Sequence, residues 1–348
     1  MNDEPKKELT PYRLISRHRA ALMGFCILWI VFYHSSIVPH TAIVRYFKGT
    51  AYPALDMFLF VSGMGTFNSL AQHSVPTFYR HRLQKLVPIW WSYFLVRLVV
   101  GRLRFGLGYT LQEAVGFLTF TGYWVPYPNC ANWYLYAIAF FYLIAPGLYG
   151  VMRGSRSPLK TSVILMLGVW AVSIPFIGHH GLQVFSRLPV FLLGMLFSAY
   201  FKDRQPPKVI TAVSCLLGLG IIFLMERHVQ LHPEDYLPMV DRGFFWYPII
   251  LCSPPLAWYL CRLFDWIERT PLRIVNRALD KTGLAALEIL LATDYLFEGT
   301  FDWNDGGKIS FLLMAGAIAV GFFYHFVIEK FRIVWRRLMR PRVSEEAP

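Results

Sequence analysis

Charged residues are scarce in this sequence of 348 residues. Only 16% are Asp, Glu, Lys or Arg and 55% are hydrophobic, whereas soluble proteins are about 25% charged. The five cysteines form no CxxC pair, so neither a disulfide framework nor a metal site is expected. A Gly-x-Ser-x-Gly motif is also absent, which disfavours a hydrolase triad. These deficits point to a protein of the lipid bilayer.

Apolar runs recur along the whole chain. Each is near the roughly 20 residues that a helix needs to cross about 30 Å of hydrocarbon. The runs cover approximately residues 20–38, 52–71, 86–100, 133–151, 161–178, 183–201, 209–225, 244–261, 282–297 and 309–328. The fold prediction is therefore all-α, a polytopic membrane protein with about ten transmembrane helices. The half-apolar stretch 111–124 is expected to be interfacial or re-entrant.

The distribution of basic residues predicts which connections between the spans are cytoplasmic. The net charge is +13, from 34 Lys and Arg against 21 Asp and Glu. Most of the basic residues fall in segments that ten spans place on the side of the N-terminus, which is what the positive-inside rule predicts for the cytoplasm. Topology thus accounts for the charge without nucleic acid.

The same layout divides the chain into three parts. We expect a cytoplasmic segment at 1–19, one transmembrane domain at 20–329 and a basic cytoplasmic tail at 330–348. The first apolar run is too long for a cleaved signal peptide, so it is expected to remain as the first helix. Both termini are then cytoplasmic.

His34 is the sharpest functional candidate. It lies in an otherwise apolar helix, about 14 residues past Ala20, which places it about 21 Å along the span and toward the outer face. A titratable group at this depth is a functional candidate by default, and a neutral imidazole there can accept a proton from an alcohol. A hydrogen bond between packed helices is the alternative role.

A basic segment follows the second span. Arg80, Arg82 and Lys85 lie at the predicted cytoplasmic edge of the membrane, with Arg82 and Lys85 three residues apart on one helix face. This arrangement suits a phosphate-rich ligand that arrives from the cytoplasm. Ordinary positive-inside anchoring predicts the same charges.

Further ionisable residues lie within or beside the spans. Asp56 opens the second span, which continues into the small residues Ser62 and Gly63, and Arg187 and Glu288 lie in the sixth and ninth spans. Each is either a functional residue or a member of a structural ion pair.

Six short motifs, in order along the chain, resemble the acyltransferase-3 family of integral membrane acyltransferases. The matching segments are Leu22–Ser35, Leu55–Gly63, Phe78–Trp90, Asn132–Leu135 with Tyr142 and Pro146, Arg187–Gly194, and Leu287–Leu290. In the first of them the family has an Arg, ten residues and a His. Met23 occupies the Arg position here, and Arg19, one turn earlier, is predicted to supply the missing guanidinium. Lys85 replaces the second arginine of the family's basic RxxR segment, which keeps the charge and loses the planar fork.

The resemblance implies acyl transfer, typically of acetyl, from acyl-coenzyme A in the cytoplasm to a hydroxyl of a carbohydrate or glycolipid of the cell envelope. It also implies a multi-pass location in the cell membrane, that is, in the inner (plasma) membrane of a bacterium. His34 is then the general base or acyl carrier, oriented or charge-balanced by Arg19 and Asp56. Arg80, Arg82 and Lys85 hold acetyl-CoA phosphate. The positions expected to support substrate or structure are Ser62, Trp133, Tyr134, Arg187 and Glu288.

Two other functions fit the same residues. A transporter or flippase would use His34, Asp56, Arg187 and Glu288 as a substrate or proton path, and a membrane scaffold would use them for folding only. The other large class of membrane acyltransferases uses an Asn and a His on separate helices, an arrangement that Asn68 and Asn132 do not reproduce.

Overall fold

A computed structural model of the chain describes residues 9–35, 37, 39–106, 108–124, 132–177, 181–241, 246–298 and 308–338. No strand occurs within these ranges, which confirms the all-α prediction. The remaining residues, including most of the predicted tail and the first eight residues, lie outside the description.

Sixteen α-helices follow one another in the described part of the chain. They are α1 (Pro11–Arg17), α2 (Arg19–His34), α3 (Ala42–Gly49), α4 (Tyr52–Gln72), α5 (Val75–Phe105), α6 (Leu111–Leu118), α7 (Trp133–Gly154), α8 (Pro158–Ser173), α9 (Gly181–Phe185), α10 (Leu188–Tyr200), α11 (Lys208–Leu231), α12 (Tyr236–Asp241), α13 (Ile249–Glu268), α14 (Arg273–Leu284), α15 (Ala286–Glu298) and α16 (Lys308–Leu338). Short 3-10 turns lie at Ile174–Phe176 and Pro233–Asp235.

Each predicted apolar run contains a helix, but fewer helices qualify as membrane spans by length and composition. In the described ranges there are six: α5, α7, α8 with its 3-10 turn, the segment Gly181–Tyr200, α11 and α16. A seventh is added if α1 and α2, which meet at 72°, are counted as one span. The number ten therefore stays a prediction, as does the side on which the termini lie.

Enclosure by other helices explains why α4 is helical without being apolar enough for that test. Most of its residues from Pro53 to Met64 are buried, including Asp56 and Ser62. A helix surrounded by protein can carry polar groups that a lipid-facing helix cannot.

The basic segment belongs to a longer helix than the apolar run indicates. α5 continues for 31 residues and passes through Pro88, so Arg82 and Lys85 project from the helix that carries the third predicted span. The apolar pattern stops at these charges, although the helix continues through them. The stretch 111–124 contains α6, whose eight residues are too few to cross a bilayer.

Two helix crossings bring backbones into direct contact. A Cβ at Gly63 of α4 would overlap the main-chain oxygen of Phe191 in α10, and a Cβ at Gly24 of α2 would overlap that of Leu279 in α14. The partner glycine on the other helix, Gly194 or Gly283, is equally close at each crossing. Small residues allow this approach, which fixes α2 and α4 within the bundle.

We predict that Gly63→Ala lowers the free energy of unfolding by about 2 kcal/mol, because even one methyl group forces the two backbones apart. Thermal unfolding of the purified protein in detergent measures the effect. Gly150→Ala is the control, since nothing lies within 4 Å of a Cβ at that helical position. Equal stability of the two variants would contradict the packing described.

Candidate active site

Helix α2 carries an exposed polar residue at each end. Arg19 begins the helix and His34 ends it, and both are exposed although most residues between them are buried or partly buried. Fifteen residues separate them, which corresponds to about 22 Å along the helix axis. The guanidinium of Arg19 lies against α4, where a Cβ at Gly65 would be 3.5 Å from Nη1. Its exposure is therefore to a recess between helices.

A cluster of cations surrounds this end of α2. Arg19 interacts electrostatically with Arg82 of α5 and with Tyr142 and Tyr134 of α7. The Arg82 guanidinium lies 4.6 Å from the ring centre of Tyr142 and donates from Nη2 to Thr66 Oγ1 at 3.4 Å. Its Nε is buried and has no hydrogen-bond partner among the described residues. Within that part of the chain, the cluster retains a donor that is not used.

Arg332 completes this cluster from the last helix. Its Nη2 donates to the main-chain oxygen of Lys85 at 2.9 Å, and Lys85 interacts electrostatically with Arg82, Arg19 and Arg332. We call Arg19, Arg82, Lys85 and Arg332 the basic group. Sequence reasoning assigned Arg332 only to the cytoplasmic tail, because nothing in the sequence places α16 beside α5.

Polar side chains connect the basic group to the interior of the bundle. Tyr134 is hydrogen-bonded to Ser62 and interacts with both Arg19 and Asp56. Asp56 and Arg187 form an ion pair, with Oδ1 and Nε 3.6 Å apart. The structure therefore brings together four helices, α2, α4, α7 and α10, at residues that the sequence proposed separately.

The Asp56–Arg187 pair is buried and incompletely satisfied. The side chains are 0% and 4% exposed, and both Asp56 carboxylate oxygens lack a hydrogen-bond partner among the described residues. The Arg187 guanidinium lies between the rings of Trp133 and Trp246, at 4.4 and 4.0 Å from their centres. Two cation–π contacts thus hold this guanidinium where water cannot solvate it.

The polar connection ends at His34. Arg187 interacts with Tyr52, and the Tyr33 hydroxyl donates to that of Tyr52 at 3.3 Å. Next to Tyr33, the His34 imidazole forms no hydrogen bond or ion pair with any described residue. We call the series Arg19, Tyr134, Ser62, Asp56, Arg187, Tyr52, Tyr33 and His34 the polar line. Both imidazole nitrogens at its end remain available to a ligand.

The short helix α3 covers this end of α2. Lys48 donates to the main-chain oxygens of Ser35 and Ile37, the latter at 2.8 Å, and Trp29 Nε1 donates to the Phe47 oxygen at 2.7 Å. Burial lowers the pKa of Lys48 from its usual range, and the ammonium is a charged neighbour of His34. Lys48 thus caps the α2 terminus that carries the imidazole.

Some predicted site residues lie apart from their proposed partners. Arg19 is too far along α2 to orient His34, and Asp56 pairs with Arg187. Arg80 is exposed, and its charge interacts with His81. Glu288 is 2% exposed and pairs with His325 of α16, whose Nδ1 lies 3.0 Å from Oε1. Arg80 lies apart from Arg82 because it is about 200° around the axis of α5 from that residue.

One group of possible metal ligands lies in the described ranges, near the bend between α1 and α2. His18, Asp265 and Glu268 offer ligand atoms within 4.8 Å of one another. Arg17 pairs with Asp265 at 3.2 Å and with Glu268 at 3.4 Å, and Arg269 also pairs with Asp265. Because arginines compensate both carboxylates, these contacts are a structural network that ties α1 and the bend after it to α13.

We predict that Arg187→Met lowers the free energy of unfolding by about 3 kcal/mol, because it leaves a buried carboxylate unpaired. In the double variant Asp56→Asn/Arg187→Met the loss is smaller than the sum of the two single losses. Chemical unfolding in detergent gives all three values. The exposed pair Arg13–Asp203, 2.7 Å apart, is the control and changes stability little. Strictly additive losses at Asp56 and Arg187 would exclude the coupling.

Comparison with known proteins assigns this arrangement to a family. No curated protein and no solved structure matches the chain. The acyltransferase-3 family, described as an acyltransferase domain, matches residues 21–322. This range includes every predicted site residue except Arg19. The chain therefore belongs to the acyltransferase-3 family, and it is a helical membrane protein with the activity of an acyltransferase.

Proposed function

We propose that the protein transfers an acyl group, most readily acetyl, from cytoplasmic acyl-coenzyme A to a hydroxyl of a cell-envelope or exported carbohydrate. One observation carries the proposal. A free, exposed imidazole and a cluster of cations lie at opposite ends of α2, joined through the bundle by the polar line.

The basic group supplies what the phosphates of the donor need. Among the described residues, the carboxylate of Glu329 interacts with Lys85 and Arg332, and one carboxylate beside four cations leaves a repulsion that an anionic ligand relieves. Arginine donates to phosphate with several N–H groups at once. Phosphates held here leave the long pantetheine arm of coenzyme A to extend along α2 toward His34.

The reaction takes place at the His34 end. His34 accepts the proton of the acceptor hydroxyl while the oxygen attacks the thioester carbonyl, so that a C–O bond forms and the C–S bond breaks. The imidazolium then returns the proton to the thiolate of coenzyme A. A neutral imidazole with no competing hydrogen bond suits this general-base role. Transfer of the acyl group first to His34 and then to the acceptor gives the same overall balance.

Asp56 and Arg187 have a positioning role and do not take part in the reaction themselves. Their ion pair holds α4 against α10 beside Tyr52, and so supports the polar residues next to His34. We place the protein in the cell membrane with the basic group toward the cytoplasm, where acyl-coenzyme A is made, and His34 toward the outer face. Membrane lipid surrounds it, and the acceptor approaches from the outer side.

We predict that His34→Gln reduces acyl transfer by about 100-fold or more, because glutamine preserves polarity but cannot accept the proton. The measurement uses the full chain in nanodiscs with labelled acetyl-coenzyme A and candidate glycans. His40→Gln, at an exposed histidine, is the control and retains activity.

The rival function, a carrier, gives a different result in proteoliposomes. A carrier moves the glycan without using coenzyme A and without attaching the label. Glycan flux in the absence of any label transfer would therefore support the carrier function and contradict the proposed acyl transfer. Unchanged transfer by His34→Gln would instead exclude the proposed base.

Arginine placement on α2 gives a second prediction. Arg19→Met is expected to raise the KM for acetyl-coenzyme A about 10-fold, because one cation of the basic group is lost. Adding Met23→Arg restores part of the affinity, since Met23 lies one turn along α2 from Arg19 and occupies the family's Arg position. Arg13→Met, which removes an exposed arginine of α1, leaves KM unchanged. If Arg19→Met leaves the KM for acetyl-coenzyme A unchanged, Arg19 does not contribute to donor binding.

A further inference from the structure

The last helix presents a polar stripe to the bundle. His325, Glu329 and Arg332 are spaced i, i+4 and i+7, so they share one face of α16. His325 pairs with Glu288 of α15 at 3.0 Å, and Arg332 donates to the Lys85 oxygen in α5 at 2.9 Å. Both contacts point inward, whereas Lys330 on the same helix is exposed. This stripe is therefore the face of α16 that meets α15 and α5.

Two nitrogens of the Arg332 guanidinium have partners among the described residues, and the third does not. Nη1 pairs with Glu329 and Nη2 with the Lys85 oxygen, while Nε is buried and has no partner in the ranges that the structure describes. The side chain is 16% exposed, against 41% for Glu329. The carboxylate can thus turn to solvent more readily than the guanidinium can.

The charges around Arg332 do not balance. In the described part of the chain, Glu329 is the one carboxylate that interacts with Lys85, beside the three arginines Arg82, Arg19 and Arg332. Arg19 and Arg332 both lie outside residues 21–322, the range that the family matches. Half of the basic group therefore comes from segments that flank this range.

We propose that Arg332 is a further donor-binding residue, and that Glu329 is a competing counter-charge that a donor phosphate displaces. In the structure Glu329 neutralises one cation by pairing with Arg332. When a phosphate group enters, it takes the place of the carboxylate beside Arg332, and Glu329 turns to solvent. This inference rests on the proposed function for the identity of the donor, but the anion site itself can be tested separately.

Two donors and three variants test the inference in nanodiscs. Acetyl-coenzyme A carries the nucleotide phosphates, and acetyl-pantetheine lacks them. Arg332→Gln raises the KM for acetyl-coenzyme A about 10-fold and leaves that for acetyl-pantetheine unchanged. Glu329→Gln lowers the KM for acetyl-coenzyme A about 3-fold, because the competitor is gone. Lys330→Gln changes neither value.

Other outcomes overturn the inference. If Arg332→Gln affects both donors equally, or neither, Arg332 does not contact phosphate. If Glu329→Gln raises the KM for acetyl-coenzyme A, the carboxylate positions Arg332 and does not compete. Arg332→Lys is the control for misfolding. It keeps the charge, and its KM for acetyl-coenzyme A is expected to rise only about 3-fold.

A binding measurement separates failure of the inference from failure of the proposed function. If the wild-type protein transfers nothing from acetyl-coenzyme A, the proposed function fails. Binding of adenosine 3′,5′-bisphosphate to the same protein then tests the anion site, and Arg332→Gln weakens this binding about 10-fold if the site is correct. Equal binding by the variant and the wild type overturns it.

Discussion

Backbone contact between α2 and α14 is the constraint on which the site depends. Gly24 of α2 and Gly283 of α14 admit the main-chain oxygens of Leu279 and Ala20, so the two helices lie as close as helices can. This contact leaves the opposite side of α2 to face α4 and the recess that contains the Arg19 guanidinium. A larger residue at either glycine would move α2, and with it both Arg19 and His34. The distance between Arg19 and His34 is thereby built into one rigid helix.

Ion pairs make the remaining charges compatible with the interior. Arg97 and Asp294 lie in the predicted runs 86–100 and 282–297, and the structure places them 3.9 Å apart, with Tyr93 hydrogen-bonded to both. Glu288 has His325, and Asp56 has Arg187. The Arg97–Asp294 and Asp56–Arg187 pairs join helices that are distant in sequence, so these charges help to specify which helices are neighbours. The basic group differs because its cations outnumber their carboxylate partner, which is why it is assigned to a ligand.

The sequence predicts much of the fold and a large part of the site. Hydropathy locates a helix in every predicted run, and short motifs locate His34, Asp56, Arg82, Lys85 and Arg187. It does not show that α5 continues through its basic segment, because an apolar window stops at Arg82 and Lys85 while the helix continues. Nor does it find α14, whose polar face resembles an ordinary connection. Arg332 is missed for a related reason, since its role comes from the packing of α16 against α5.

In the proposed function, donor and acceptor approach from opposite sides, because the basic group and His34 lie at the two ends of α2. Proteoliposomes with the protein in one orientation test it directly. Labelled acetyl-coenzyme A is supplied only on the side of the basic group, and the glycan acceptor is enclosed only on the side of His34. We predict label on the enclosed glycan. Transfer that occurs only when both substrates are on the same side would contradict a site that passes through the bundle.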